Sequence, residues 1–317
     1  MKDFIEEYIQ INDIQQYFLH YPAQSDIVVL FLHGGPGQSE SHYAYKTKPS
    51  HQNYNLVHYD QRGTGKTQSK NKTKPQDVSL ENLLDDLRVT IEYIKKRYTN
   101  SKIVLLGHSW GSILGIEYIK RYSDTVSAFI GMGQVVNFLN GEKAAFDYCS
   151  DIVKRNEDKR NEDKRDIKQL ELLSDYPFSA DQENIFKTIM HFRKIQMKYK
   201  LVAYCGGSRK MRSYLMKSPT FSLKDIPILL TSMKTNNNLV NCLFRYDTSN
   251  YTKFNVPIYF ICGRNDWQVP SVLVDTYYSS IEAPDKAFHW IENAGHLADI
   301  DNPDGFNQSL WAICQRL

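Results

Sequence analysis

Gly107-His108-Ser109-Trp110-Gly111 decides how the chain is read. The stretch has the form G-x-S-x-G. The apolar run Ile103-Val104-Leu105-Leu106 leads into it, and a helical pattern over residues 109–122 leads out. A serine between a buried strand and a helix sits on a sharp turn. The backbone closes such a turn only if the residues two positions to either side lack side chains, which accounts for both glycines. The turn lifts the Ser109 hydroxyl over the end of the sheet and sets it at a helix N-terminus, where developing negative charge is favoured. Ser109 is therefore expected to be a nucleophile. Ser112, one turn into the helix, is expected to be structural.

Outward from this motif the same strand–helix rhythm repeats. Residues 27–32 form a continuous apolar run ending in Gly34-Gly35-Pro36-Gly37, as a buried strand does on entering a tight loop. Residues 55–59 form another, ending at Asp60-Gln61-Arg62-Gly63, and residues 126–130 a further one. Leu80, Leu83, Leu84, Leu87, Ile91 and Ile94 share one face of a helix over 80–98. Before all of these, residues 4–10 and 14–20 read as a hairpin around Asn12-Asp13. Near Asn137 the pattern changes, and to about Asn250 the chain is helical, charged and aromatic. Strands are then expected at 256–262 and 287–291, with helices at 271–280 and 303–314. Alternating strands and helices imply parallel βαβ units. The expected architecture is a mostly parallel sheet flanked by helices, built from residues 1–137 and 251–317, with a helical lid over 138–250. Within the lid, residues 156–165 repeat Asn-Glu-Asp-Lys-Arg, which reads as a solvated helix face or loop tip.

The bulk numbers agree with an enzyme core of this size. The 317 residues are 41% hydrophobic and 24% charged, enough for a large core without metal or disulfide support. With 39 basic and 36 acidic side chains the net charge is only +3, too balanced for a nucleic-acid binder. The five cysteines are scattered and form no C-x-x-C pair, which argues for a reducing cytoplasm. Acidic residues interrupt the N-terminus early, no signal peptide is expected, and residues 27–32 are too short to span a bilayer. No membrane partner is expected.

A serine hydroxyl needs a base, and the base needs an orienting acid. In the α/β-hydrolase fold these follow the serine in the order acid, then histidine. Gly263-Arg264-Asn265-Asp266 follows one late strand and Ala294-Gly295-His296 the next. Both fall in loops at carboxyl ends of strands, where such sheets gather their sites. Asp266 is expected to orient His296. The alternative acid position reads Gly131-Met132-Gly133-Gln134 and offers no carboxylate. Asp299 and Asp301 are assigned to a loop or helix cap, and His20, His51, His58, His191 and His289 to surface or half-buried roles. An oxyanion would take two backbone donors, expected from Trp110, after the nucleophile, and Gly35, in the glycine loop. Gly63-Thr64-Gly65-Lys66-Thr67 imitates the end of a phosphate loop, but Asp60 stands where its first glycine is required. Nothing suggests a metal ligand cluster or a cofactor.

His33-Gly34-Gly35-Pro36-Gly37, Asp60-Gln61-Arg62-Gly63-Thr64-Gly65 and Gly107-His108-Ser109-Trp110-Gly111-Ser112 together resemble the proline iminopeptidase family of α/β hydrolases. The resemblance extends across the lid to Gly263-Arg264-Asn265-Asp266 and Gly295-His296. It implies a cofactor-free serine aminopeptidase acting on short peptides. The family's aminopeptidases hold the substrate's α-amino group with glutamates, in some of them one directly after the catalytic acid. That position here is Trp267. Glu142, Glu171 and Glu183 in the lid are the candidates to replace it. The lid's underside is expected to present aromatic rings, drawn from Phe146, Tyr148, Phe192, Tyr199, Tyr204, Tyr214 and Phe244. The rival readings are an esterase or amidase for a small hydrophobic acyl substrate, and a catalytically silent binding protein on a hydrolase scaffold.

Overall fold

The computed structural model describes residues 3–48, 53–155, 161–173, 175–177, 185–204 and 207–317. Its eight strands are β1 (Ile5–Ile11), β2 (Ile14–Tyr21), β3 (Ile27–Leu32), β4 (Asn55–Tyr59), β5 (Lys102–His108), β6 (Ala128–Met132), β7 (Ile258–Gly263) and β8 (Lys286–Ile291). They form one sheet in the order β1-β2-β4-β3-β5-β6-β7-β8. The β1–β2 hairpin closes at Asn12, whose φ of 50° suits a tight turn, with Ile11 opposite Ile14. β2 also runs antiparallel to β4, and every later pairing is parallel.

The apolar runs read as buried strands because both faces of the sheet are covered. Alternate residues of β3 and β5 divide between two cores. Val28, Leu30, Ile103 and Leu105 join Leu83, Leu87 and Ile91 of the helix Leu80–Arg97. Val29, Phe31, Val104 and Leu106 join Phe306, Leu310 and Ile313 of the helix Pro303–Cys314. The helix Leu80–Arg97 begins where Ser79 accepts the Asn82 N–H at 3.1 Å, an N-cap bond. β6 starts two residues later than its apolar run suggests and extends to Met132, paired with His108. His20 and His58 lie deeper than expected. His20 contacts Tyr98 and Glu7, and His58 stacks on Phe31 at 4.4 Å.

The stretch that imitates a phosphate loop opens a helix, Gly65–Asn71. Asp60 organises it, accepting the Lys66 N–H at 2.7 Å and the Ser39 hydroxyl at 2.5 Å. The carboxylate thus occupies the place a phosphate would need.

Between β6 and β7 lie the helices Phe138–Arg155, Asn161–Glu171, Ile185–Lys198, Gly207–Lys217, Ile226–Thr235 and Asn237–Arg245. The first three share a cluster of their own that includes Phe146, Cys149, Leu170, Tyr176, Phe192 and Ile195. The last buries Leu239 and Leu243 in the main core, and Asn236 Nδ2 donates to the Gly63 carbonyl at 2.9 Å. Of the Asn-Glu-Asp-Lys-Arg repeat, residues 156–160 lie outside the described residues, and the second copy begins the helix Asn161–Glu171.

Candidate active site

Ser109 directly follows β5 with φ 53° and ψ −116°, a conformation that side-chain-bearing residues rarely adopt. Its N–H bonds the Met132 carbonyl at 2.9 Å, which ties the turn to β6. The flanking glycines are demanded by space. A Cβ at Gly107 would lie 2.4 Å from the Gly111 carbonyl oxygen, and one at Gly111 would lie 1.9 Å from that of Leu32. Ser112 is structural: its hydroxyl donates to the Ser109 carbonyl at 2.6 Å and accepts the Val135 N–H at 3.0 Å. Among the described residues no group hydrogen-bonds the Ser109 hydroxyl.

Asp266 is buried in the loop after β7. Its Oδ1 accepts the N–H groups of Gln268 and Val269, both at 2.9 Å, and its Oδ2 lies 2.9 Å from His296 Nδ1. With one oxygen held by the backbone, the other has a fixed aim. The other ring nitrogen of His296, Nε2, is buried and makes no hydrogen bond among the described residues. Gly133, at the alternative acid position, stands against this ring: a Cβ there would lie 2.8 Å from His296 Cε1. The insertion holds both loops. Leu201 accepts the Trp267 N–H at 3.0 Å, and Val202 accepts the His296 N–H at 2.7 Å. Trp267 itself stacks on Tyr148 at 3.5 Å, so its ring joins the two layers and carries no charge to the site.

Ser109 and His296 face one cavity of about 520 Å³, roofed by the insertion. Gly35 lines it too, at φ 124°, in a turn so tight that a Cβ would lie 2.5 Å from the Gly37 nitrogen. Trp110 opens the helix Trp110–Tyr122, so its N–H has no acceptor within that helix. Of the two expected oxyanion donors, Trp110 follows the serine in the chain and Gly35 lines the same cavity.

The roof differs from the sequence expectation. None of the seven singled-out aromatics lines the cavity. Phe146 and Phe192 pack with Tyr176 inside the insertion, and Phe244 packs on Phe138. Large rings bury most area against one another. Phe138, at the start of the insertion, is the lid aromatic that does line it. Ile189, Met190, Met197, Met211, Leu215 and Met233 supply most of the remaining apolar lining, the methionines being flexible side chains that conform to varied shapes.

The lid carboxylates also need correction. Glu142 lines the cavity, but its two oxygens are taken by the Arg193 guanidinium and the Tyr176 hydroxyl. Glu171 is exposed and away from the cavity, and Glu183 lies outside the described residues. The core supplies carboxylates instead, from Glu40 and Asp299. Sequence spacing alone could not separate Asp299 from Asp301 in the short helix Ala298–Asp301. Asp301 Oδ2 clamps the loop, accepting the N–H groups of Gly295 at 2.9 Å and Tyr204 at 2.7 Å. Asp299 faces the cavity and makes no ion pair among the described residues. Burial pushes its carboxyl up to about 7, although the positive charge of His108 opposes the rise. His108 is lifted to about 9: burial works against its charge, and the adjoining Glu40 carboxylate outweighs burial. Among the described residues no three His, Cys, Asp or Glu side chains cluster as metal ligands, and no helix is long and apolar enough to cross a membrane.

Comparison with known proteins agrees with this fold. A family model described as alpha/beta hydrolase fold matches residues 27–163, from β3 into the insertion. The probable aminopeptidase YbaC of Bacillus subtilis (strain 168) is 28% identical over 296 residues, 89% of this chain and 87% of that protein. A proline iminopeptidase of Saccharolobus solfataricus is 25% identical over 305 residues, 95% of this chain and 89% of the relative. The crystal structure of a proline iminopeptidase-related protein from Thermus thermophilus superposes with a TM-score of 0.67 at 17% identity, covering 100% of this chain and 99% of the other. The chain has the α/β-hydrolase fold and is similar along nearly its whole length to proline iminopeptidases.

Proposed function

We propose that this α/β hydrolase is a cytoplasmic serine aminopeptidase of the proline iminopeptidase type, releasing the first residue of short peptides through an acyl-enzyme. One observation carries the reading. Ser109, in its strained turn, and His296 Nε2, which has no bond of its own, share one cavity while Asp266 holds the opposite ring nitrogen. In the first half-reaction the Ser109 hydroxyl attacks the scissile carbonyl and His296 takes its proton. The oxyanion rests on the N–H groups of Gly35 and Trp110. His296 then protonates the departing amine, leaving the acyl group on Ser109. In the second half, water loses a proton to His296 and attacks the ester, which releases the acid and restores the serine.

An aminopeptidase must also desolvate the substrate's α-ammonium, which is costly unless a carboxylate meets it. Asp299 suits that role, since Arg193 already neutralises Glu142 and His108 engages Glu40. A charge-assisted bond of this kind contributes about 1.5–3 kcal/mol, roughly 10- to 100-fold in binding. Asp299→Asn is therefore expected to lower kcat/KM for proline naphthylamide by that factor, mainly through KM. It should leave the N-acetylated substrate unaffected. Because Asp299 becomes charged as pH rises through about 7, KM for the free amine should fall over the same range. The experiment is a panel of aminoacyl-naphthylamides, free and N-acetylated, beside short-chain nitrophenyl esters.

The apolar, methionine-rich roof favours a second reading, an esterase or amidase for a hydrophobic acyl group. Equal turnover of the free and acetylated naphthylamides, with faster ester cleavage, would establish that reading over the first. Labelling of the wild-type protein by a fluorophosphonate probe would exclude a silent binding protein.

A further inference from the structure

We propose that His108 and Glu40 form a buried clamp that sets the position of His296, making His108 a positioning residue for proton transfer at Ser109. The inference rests on Ser109 and His296 being nucleophile and base, and not on which substrate they serve. His108 Nε2 lies 3.0 Å from the His296 carbonyl oxygen, and Nδ1 lies 2.8 Å from Glu40 Oε1. The same Glu40 oxygen accepts the Gly34 N–H at 3.2 Å. One imidazole thus joins three parts of the site: the turn that carries Ser109, the loop that carries His296 and the glycine loop that carries Gly35.

The partners dictate the protonation state. A carbonyl oxygen only accepts, so Nε2 carries a hydrogen. A carboxylate also only accepts, so Nδ1 carries one as well, and the imidazolium satisfies both. The charged and titratable groups facing His108 are Glu40, Asp299, His33 and the His296 ring, whose centroid is 4.8 Å away. Burial opposes the cation, and Glu40, Asp299 and the His296 carbonyl favour it. Both contacts together are therefore present below about 9, and as pH rises through it the neutral ring keeps only one N–H, so the link between Glu40 and the His296 carbonyl is broken.

Two variants separate positioning from packing. In His108→Gln the side-chain amide nitrogen reaches the place of Nε2 and can still donate to the His296 carbonyl. In His108→Asn the amide is shorter and reaches only Glu40. Both remove the same charge, so a general loss of stability affects them alike. Displacing a base by a fraction of an ångström costs on the order of 10- to 100-fold in turnover. For a nitrophenyl ester, His108→Asn is expected to lose kcat by about that factor, with KM within about 2-fold, and His108→Gln to recover most of the loss. Wild-type kcat should fall above about 9, and in Glu40→Gln the fall should move to lower pH, because no carboxylate retains the proton. Equal kcat in the Gln and Asn variants, or an alkaline fall unmoved in Glu40→Gln, would overturn the clamp. Fluorophosphonate labelling of Ser109→Ala at the wild-type rate would overturn it by a different route, by removing the nucleophile that the clamp serves.

Discussion

Ser109→Ala is expected to lower kcat by about 10⁴-fold or more while the protein stays folded. The change deletes the attacking oxygen and little else. The Ser109 hydroxyl takes no hydrogen bond among the described residues, so no structural contact is lost with it. The backbone bonds of the turn, from the Ser109 N–H to Met132 and from the Ser112 hydroxyl to the Ser109 carbonyl, do not depend on that side chain. Alanine has no more bulk than serine for the strained φ to accommodate. The measurement is kcat on the most active substrate of the panel, with the melting temperature and the circular dichroism spectrum as controls. A well-folded variant that kept a tenth of the wild-type rate would refute the assignment of Ser109.

Asp266→Asn should be almost as damaging, for a reason the hydrogen bonds make explicit. Oδ1 accepts two backbone N–H groups, from Gln268 and Val269. An asparagine keeps its carbonyl oxygen there, since its amide nitrogen would face two donors. The amide then points its N–H at His296 Nδ1, which must become an acceptor. The ring proton moves to Nε2, the nitrogen that has to take the proton of Ser109. The expected loss in kcat near neutral pH is about 10⁴-fold, the size such a tautomer reversal has in serine hydrolases of this design. Both backbone bonds survive, so stability should change by no more than about 1–2 kcal/mol. Near wild-type turnover would show that Asp266 does not orient the base. A large loss of stability would show instead that the backbone bonds had not been kept.

The residues of the site were legible where local rules are strict. A serine turn needs glycine at 107 and 111 because Cβ atoms there would strike the backbone. Buried parallel strands need unbroken apolar runs, and the ends of β7 and β8 locate Asp266 and His296 within a few residues. The hairpin at Asn12 and the helix face from Leu80 to Ile94 are of the same kind, since each is written in spacing shorter than one element. Other features depend on which elements meet. Glu142 is saturated by Arg193, 51 residues away, and by Tyr176, 34 away, and no spacing records either encounter. Aromatic periodicity in the insertion marks a buried face. Only the packing of its helices decides that Phe146 and Phe192 turn into the insertion's own cluster and that Phe138, methionines and aliphatic side chains line the cavity. Asp299 and Asp301 are the same residue type two positions apart, yet one faces the cavity and the other binds Gly295 and Tyr204. His108 occupies a variable position of the G-x-S-x-G pattern and becomes a link only once Glu40 and the His296 loop arrive beside it. The sequence by itself determined the sheet, the serine turn and the loops that carry Asp266 and His296, because covalent geometry and burial act over a few residues. Tertiary structure alone decided the charge and texture of the cavity, because those arise where distant helices and loops exclude water together.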